Sequence, residues 1–226
     1  MPELEEHYAD LKSTVADFAD KVVAPASAEH DRNHTFPYEV VSQMGQMGLF
    51  GLPFPEEYGG MGGDYFALAL ALEELGRVDQ STAMTLEAGV GLGAMPIYHF
   101  GNEEQKQKWL PRCASGEWSP AFCLSEPEAG SDPGAMRTTA VRDGDEWVIN
   151  GTKNWISNAT IADFYLVFAV TDRENKRFSA FVVEKDREGF SVPKLEHKLG
   201  IKGSPTGQPV FEDVRVPADH LIGDEG

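Results

Sequence analysis

Over residues 3–28, apolar side chains recur at threes and fours, at Leu4, Tyr8, Leu11, Val15, Phe18 and Val22, with charges between them. That period describes one face of a helix, with Pro25 as an interruption or a new start. Residues 38–47 predict a short helix stopped by Gly48, and residues 49–63 hold too much Gly and Pro for a regular element. Asp64 is placed as the N-cap of a buried helix over 65–76, and Ser81 as the cap of an apolar helix reaching about Phe100. Asn102-Glu103-Glu104-Gln105 has the polar cap and early acids of a helix start, closing at Trp109-Leu110 before Pro111.

Near Gly116 the pattern changes from threes and fours to short alternating runs. Residues 121–124, 138–142, 146–149, 164–171, 178–184 and 210–216 read as strands, with Arg142-Asp143-Gly144-Asp145 and Asp172-Arg173-Glu174-Asn175 as hairpin turns. Six or more short strands in roughly a hundred residues imply a barrel or sandwich. The expected fold class is α+β and multidomain. An N-terminal all-helical domain (residues 1–116) is followed by a β-barrel-like middle domain (117–226), the two packing closely because no low-complexity linker parts them.

Composition narrows the function. With 37 acidic and 19 basic residues the formal charge is −18. Such a surface repels phosphate backbones, which argues against nucleic acid, and any anionic ligand needs a local basic patch. The acidity fits a salt-rich cytoplasm and ordinary acidic proteins alike. No run of 18 apolar residues and no charged-then-apolar N-terminus is visible, and Cys113 and Cys123 make no disulfide framework. A cytoplasmic protein without a membrane span is therefore expected.

Two motifs that resemble known sites fail on context. Gly89-Val90-Gly91-Leu92-Gly93-Ala94 fits a dinucleotide fingerprint but follows a helical stretch and lacks an acid about 20 residues on, so close packing of small residues is the better reading. His30 and His34 stand at i and i+4, yet Asp31 replaces the Glu of a zinc hydrolase and Pro37 leaves little helix to hold the pair, so no metal is expected. No Gly-x-Ser-x-Gly elbow supports nucleophilic hydrolysis.

The chemistry concentrates in Phe122-Cys123-Leu124-Ser125-Glu126-Pro127-Glu128-Ala129-Gly130-Ser131-Asp132 and in Lys153-Asn154-Trp155-Ile156-Ser157. The first is a strand breaking into a loop of small, hydroxyl and carboxylate groups suited to a polar ligand. The second, read as a strand, sets an indole and a hydroxyl on one face, as a flat heterocycle requires. Glu126 is read as a carboxylate that orders the turn or pairs with a nearby cation.

Together these stretches resemble the flavin-binding segments of the acyl-CoA dehydrogenase family, an S/T-E-P-x-A-G-S-D run followed by a K-x-W-I-S/T strand. The resemblance extends to Pro55-Glu56-Glu57-Tyr58-Gly59-Gly60, Gly203-Ser204-Pro205-Thr206 and Phe211-Glu212-Asp213-Val214-Arg215-Val216-Pro217. It implies FAD and acyl-CoA as ligands and α,β-dehydrogenation of the thioester, in fatty-acid β-oxidation. An electron-transferring flavoprotein is implied as acceptor, and a homotetramer as the assembly. By position, Phe122, Leu124, Ser125, Ser131, Trp155, Ile156 and Ser157 are expected at the flavin. Ser131 and Asn175 are expected at the CoA moiety, and Glu87 at the acyl pocket. The resemblance implies a catalytic base in a C-terminal helical domain, and the sequence stops at Gly226 about where that domain begins, so the expectation is a two-domain fragment, a split-gene half or a family member with changed chemistry, in each case without that base. An acyl-CoA oxidase, a related flavin oxidase or monooxygenase, and a non-catalytic acyl-CoA-binding protein remain open, as does the acyl length.

Overall fold

A computed structural model describes residues 4–226. Helix α1 (Glu6–Phe18) passes through a wide π turn (Ala19–Val23) into α2 (Ala24–Asn33) without a break. Pro25 thus interrupts nothing. It occupies the first turn of α2, just after a stretch where the usual bonding has already shifted, so its missing N–H costs little. Val15, Ala19 and Val23 are buried along this rod's inner face. Helix α3 (Tyr38–Gln46) is followed by Gly48 in the left-handed region (φ 74°). Residues 49–63 contain only single 3₁₀ turns, at Leu49–Gly51 and Glu56–Tyr58, yet they bury Leu49, Phe50, Leu52, Phe54 and Tyr58.

Asp64 caps α4 (Tyr65–Val78), its carboxylate accepting from the Ala67 amide at 2.9 Å. The cap of α5 (Gln80–Glu87) is Asp79, not Ser81. Asp79 accepts from both the amide and the hydroxyl of Thr82, while Ser81 is buried within the first turn as the second helical residue. A second π segment (Ala88–Ala94) joins α5 to α6 (Met95–Phe100). The glycine run lies here, packed on a strand and not only on helices. A Cβ at Gly93 would stand 2.7 Å from the Pro120 ring. Helix α7 (Glu103–Ala114) opens with an Asn102/Gln105 capping box and runs through Pro111 instead of stopping before it. Trp109, Leu110, Cys113 and Ala114 are all buried, and that packing outweighs one lost intrahelical bond.

Strands β1 (Pro120–Cys123), β2 (Thr139–Asp143), β3 (Glu146–Thr152), β4 (Ile156–Ser157), β5 (Phe164–Asp172), β6 (Arg177–Glu184), β7 (Phe190–Leu195), β8 (Thr206–Pro217) and β9 (Leu221–Ile222) form one mixed sheet. Its order is β4-β8-β3-β2-β5-β6-β9, with β1 parallel on β5 and β7 on β8. The sheet curls on itself in barrel fashion. Strands that are not neighbours meet inside it, Trp147 against Phe181 at 5.1 Å and Tyr165 against Phe190 at 4.4 Å between ring centroids.

Strand β5 is buried on both faces. Tyr165, Val167 and Ala169 join the sheet's own core, while Phe164 and Leu166 join the helical core. At the far end of that seam, Gln105 on α7 donates to the carbonyls of Asp219 and Leu221, both at 2.7 Å. Beside it, His220 packs edge-on to Trp109, and its Nδ1–H donates to the Val182 carbonyl at 2.9 Å. Among the described residues no helix is long and apolar enough to cross a membrane.

Candidate functional site

Strand β1 ends at Cys123, and the chain turns sharply at Pro127, closed by paired backbone bonds between Glu126 and Ala129 at 2.9 and 3.2 Å. The second stretch leaves β3 and lies directly against this turn. The Lys153 amide donates to the Pro209 carbonyl at 2.8 Å, and the Asn154 amide to the Ser125 carbonyl at 2.9 Å. The two stretches are therefore one structure.

Lys153 joins them more deeply. Its side chain is wholly buried, and its ammonium donates to the Leu124 carbonyl at 3.0 Å and to Glu126 Oε1 at 2.8 Å. Glu126 also accepts from the Thr138 amide at 3.0 Å and the Arg137 amide at 2.6 Å. Removing either charge from water costs several kcal/mol. Glu126 has partners on both oxygens, whereas Lys153 has two acceptors and burial still draws its ammonium below the usual lysine range. Burial pushes the Glu126 carboxyl upward, but Lys153 and the two amides outweigh it and hold it below the usual carboxylate range. The sequence reading of Glu126 as a turn-ordering, cation-paired carboxylate holds; what the sequence did not single out is Lys153 as that cation.

The remaining expected residues divide. Trp155 is 59% exposed and stands in the left-handed region, so it is not part of an extended strand. The expectation that Trp155 and Ser157 share a strand face is therefore incorrect. Strand β4 begins only at Ile156, and the kink at Trp155 aims the indole by a different route. Ser157 is half-buried and pairs with Thr206 across β4 and β8. Ile156 is buried in the sheet core, so only its backbone can meet a ligand. Phe122 packs its ring 5.0 Å from that of Phe168. Leu124 packs against the small cluster of Ala129, Met136 and Val170. Ser131 is exposed on the loop beyond.

That loop borders a hollow of about 420 Å³ lined by Arg137, Arg173 and Lys176 together with Asp132, Met136 and Phe178. Three cations around one hollow in so acidic a protein form the local basic patch that an anionic ligand requires. Arg137 also pairs with Glu128. Asn175, on the hairpin that carries Arg173 and Lys176, is exposed and bonded within its own turn: its amide and side-chain NH₂ both donate to Asp172, at 3.0 and 2.6 Å. A larger groove of about 720 Å³, between α3 and the turn at 160–163, has Lys185 as its cation, already paired with Asp163. Glu87 is not brought to this site. It lines a separate groove with Glu73, Glu74 and Arg77, and burial without a paired cation pushes its carboxyl upward.

The groups gathered here fit a flavin: an exposed indole face for stacking, the hydroxyls of Ser125, Ser131 and Ser157 as donors or acceptors, and as acceptor a buried Asn154 Oδ1 that has no partner among the described residues. Lys153, Asn154 and Arg173 lie in stretches that the sequence marks but without a site role assigned, and Lys176 lies outside them. A lysine in a strand-like run marks only the first, since lone lysines there are otherwise unfavourable.

Comparison with known proteins gives the family. Residues 5–117 match the family model for the acyl-CoA dehydrogenase N-terminal domain, and residues 121–214 that for its middle domain. The chain belongs to the acyl-CoA dehydrogenase family. It is 47% identical over 218 residues to the short-chain specific acyl-CoA dehydrogenase of Clostridium acetobutylicum, covering 96% of this chain and 58% of that protein. It superposes with TM-score 0.97 and 45% identity on a chain in the structure of the electron transferring flavoprotein of Acidaminococcus fermentans, over all of this chain and 60% of the other. Acyl-CoA dehydrogenase of Bacillus anthracis, solved complexed with FAD, matches with TM-score 0.92 and 38% identity over 99% of this chain and 38% of that one. The chain thus spans little more than half the length of the curated relatives it matches.

Proposed function

We propose that this protein binds FAD and an acyl-CoA thioester and works as an acyl-CoA dehydrogenase, with a short acyl chain as the substrate class. The observation that carries the reading is the union of residues 122–132 with 153–157 through Asn154, Lys153 and Glu126, which places the exposed indole beside the hydroxyl-bearing loop. Bound FAD would supply the hydride acceptor for oxidation of the Cα–Cβ bond. The chain's own part is to hold and orient. Trp155 provides the stacking face, and Ser125 and Ser157 provide edge hydrogen bonds. Arg137, Arg173 and Lys176 neutralise the phosphates of CoA, with Ser131 between the two ligands.

Glu126 is not free to act as base, because Lys153, Arg137 and Thr138 already occupy its oxygens. The resemblance assigns that role to a later helical domain. The same reading includes two units parted at Gly116, an electron-transferring flavoprotein as electron acceptor and a homo-oligomer. A reducing cytoplasmic location accords with two free, buried thiols.

The test is anaerobic addition of butyryl-CoA to the FAD-loaded protein joined to the C-terminal helical domain that the resemblance implies as the source of the base. Loss of the oxidised-flavin absorption is expected, and an unaltered spectrum would refute substrate oxidation. Admitting oxygen then distinguishes the oxidase reading: slow reoxidation is expected of a dehydrogenase, and rapid reoxidation with peroxide release would replace it by an oxidase.

A further inference from the structure

We propose that Lys153 is a positioning residue for the flavin, acting through the backbone of residues 124–126 and never by contact with the cofactor. This deepens the flavoprotein reading above and rests on it. The geometry is a clamp. One buried ammonium holds a carbonyl, Leu124, and a carboxylate, Glu126, that lie on either side of Ser125. The same lysine's amide anchors to Pro209 on β8, and the next amide, Asn154, takes the Ser125 carbonyl. Three consecutive residues of the first motif are thereby fixed to the root of the second, one residue short of Trp155. Glu126 carries the clamp onward, since the amides of Arg137 and Thr138 close the far end of the loop that holds Ser131. The relative placement of Leu124, Ser125, Ser131 and Trp155 is thus set by a buried pair of charges.

A stability role alone does not explain the choice of ions. Buried ion pairs are often replaceable by neutral groups of similar volume with no loss of stability, whereas removal of one partner leaves an uncompensated charge. A pair kept for positioning predicts that fold and ligand geometry can be separated. Lys153→Met with Glu126→Gln retains an acceptor for one of the two amides and removes both charges, together with the donor to the Leu124 carbonyl.

The experiment measures FAD affinity, the bound-flavin absorption spectrum and thermal unfolding of the apoprotein in wild type, Lys153→Met/Glu126→Gln and Glu126→Asp. For the double variant the expected result is a native circular-dichroism spectrum and apoprotein unfolding within a few degrees of wild type. FAD should bind at least about tenfold more weakly, with an altered long-wavelength band. Glu126→Asp keeps both charges and shortens the clamp by one methylene. It should show the same loss in milder form, and it carries the test by itself if the double variant does not fold. Wild-type affinity and an unchanged spectrum in whichever folded variant is measured would overturn the positioning role. Failure of the wild-type protein to bind FAD would instead overturn the flavoprotein reading, and this inference with it.

Discussion

The indole of Trp155 offers a flat ligand a whole face, whereas Ser157 offers one hydrogen bond. Loss of the hydroxyl in Ser157→Ala should weaken FAD binding by about 0.5–1.5 kcal/mol. Loss of the indole in Trp155→Ala removes both the aromatic pairing and the apolar area it covers, together roughly 2–4 kcal/mol, so it should weaken binding more. Comparable dissociation constants for the two variants would place the isoalloxazine elsewhere. The acid response of the same site follows from Glu126. Its folded carboxyl lies below the ordinary 4.5, so its contribution to stability is complete above that value and is lost as pH falls through the folded one. Flavin release below about pH 4.5 should therefore be steeper in wild type than in Glu126→Gln, as FAD fluorescence during acid titration would report. None of these partnerships could be assigned from the chain alone: the motifs mark which residues matter, but only the folded turn shows that Lys153 answers Glu126, or that Trp155 leaves the strand through a left-handed backbone.

Helix α7 and strands β6 and β9 are joined by a small polar seam with measurable worth. Gln105→Ala deletes two hydrogen bonds to carbonyls 219 and 221 and the capping-box return to Asn102, a loss of roughly 2–4 kcal/mol in denaturant unfolding. His220 in that seam is buried, and burial draws its imidazole below the ordinary 6.5. Glu184 and the Val182 carbonyl pull it back, while Lys108 adds to the depression. The folded imidazole refuses a proton that the unfolded chain accepts, so stability should decline as pH falls through 6.5. His220→Gln should flatten that segment of the stability curve; an unchanged slope would show that other groups control it.

Most of the elements could be read from hydrophobic period, because amphipathic faces and alternating strands declare themselves. The errors came where a tertiary contact overrides a local breaker. Pro25 is absorbed at a π turn and Pro111 within a helix that packs on both sides of it. Strand β7 went unseen because its Pro193 sits at a register shift between Ser191 and Lys194 on an exposed edge.

For the molecule as a whole, a formal charge of −18 sets the electrostatic background. Self-repulsion among excess carboxylates destabilises the folded state, so added salt should raise the melting temperature, most steeply up to about 0.1 M where the Debye length is about 10 Å. A flat or falling melting temperature over that range would contradict this, and a requirement for molar salt would mark adaptation to a saline interior. Against that background the basic hollow at Arg137, Arg173 and Lys176 stands out as a local exception. Arg173→Glu with Lys176→Glu should weaken CoA binding at least about tenfold while leaving FAD affinity near wild type, because each reversal turns attraction for phosphate into repulsion.

The union of residues 122–132 and 153–157 into one flavin site is tested most directly by equilibrium titration of FAD fluorescence with the protein. Saturable quenching at one FAD per chain, weakened in Trp155→Ala, is the predicted result. FAD that stays fluorescent at micromolar protein, or quenching indifferent to Trp155, would contradict it.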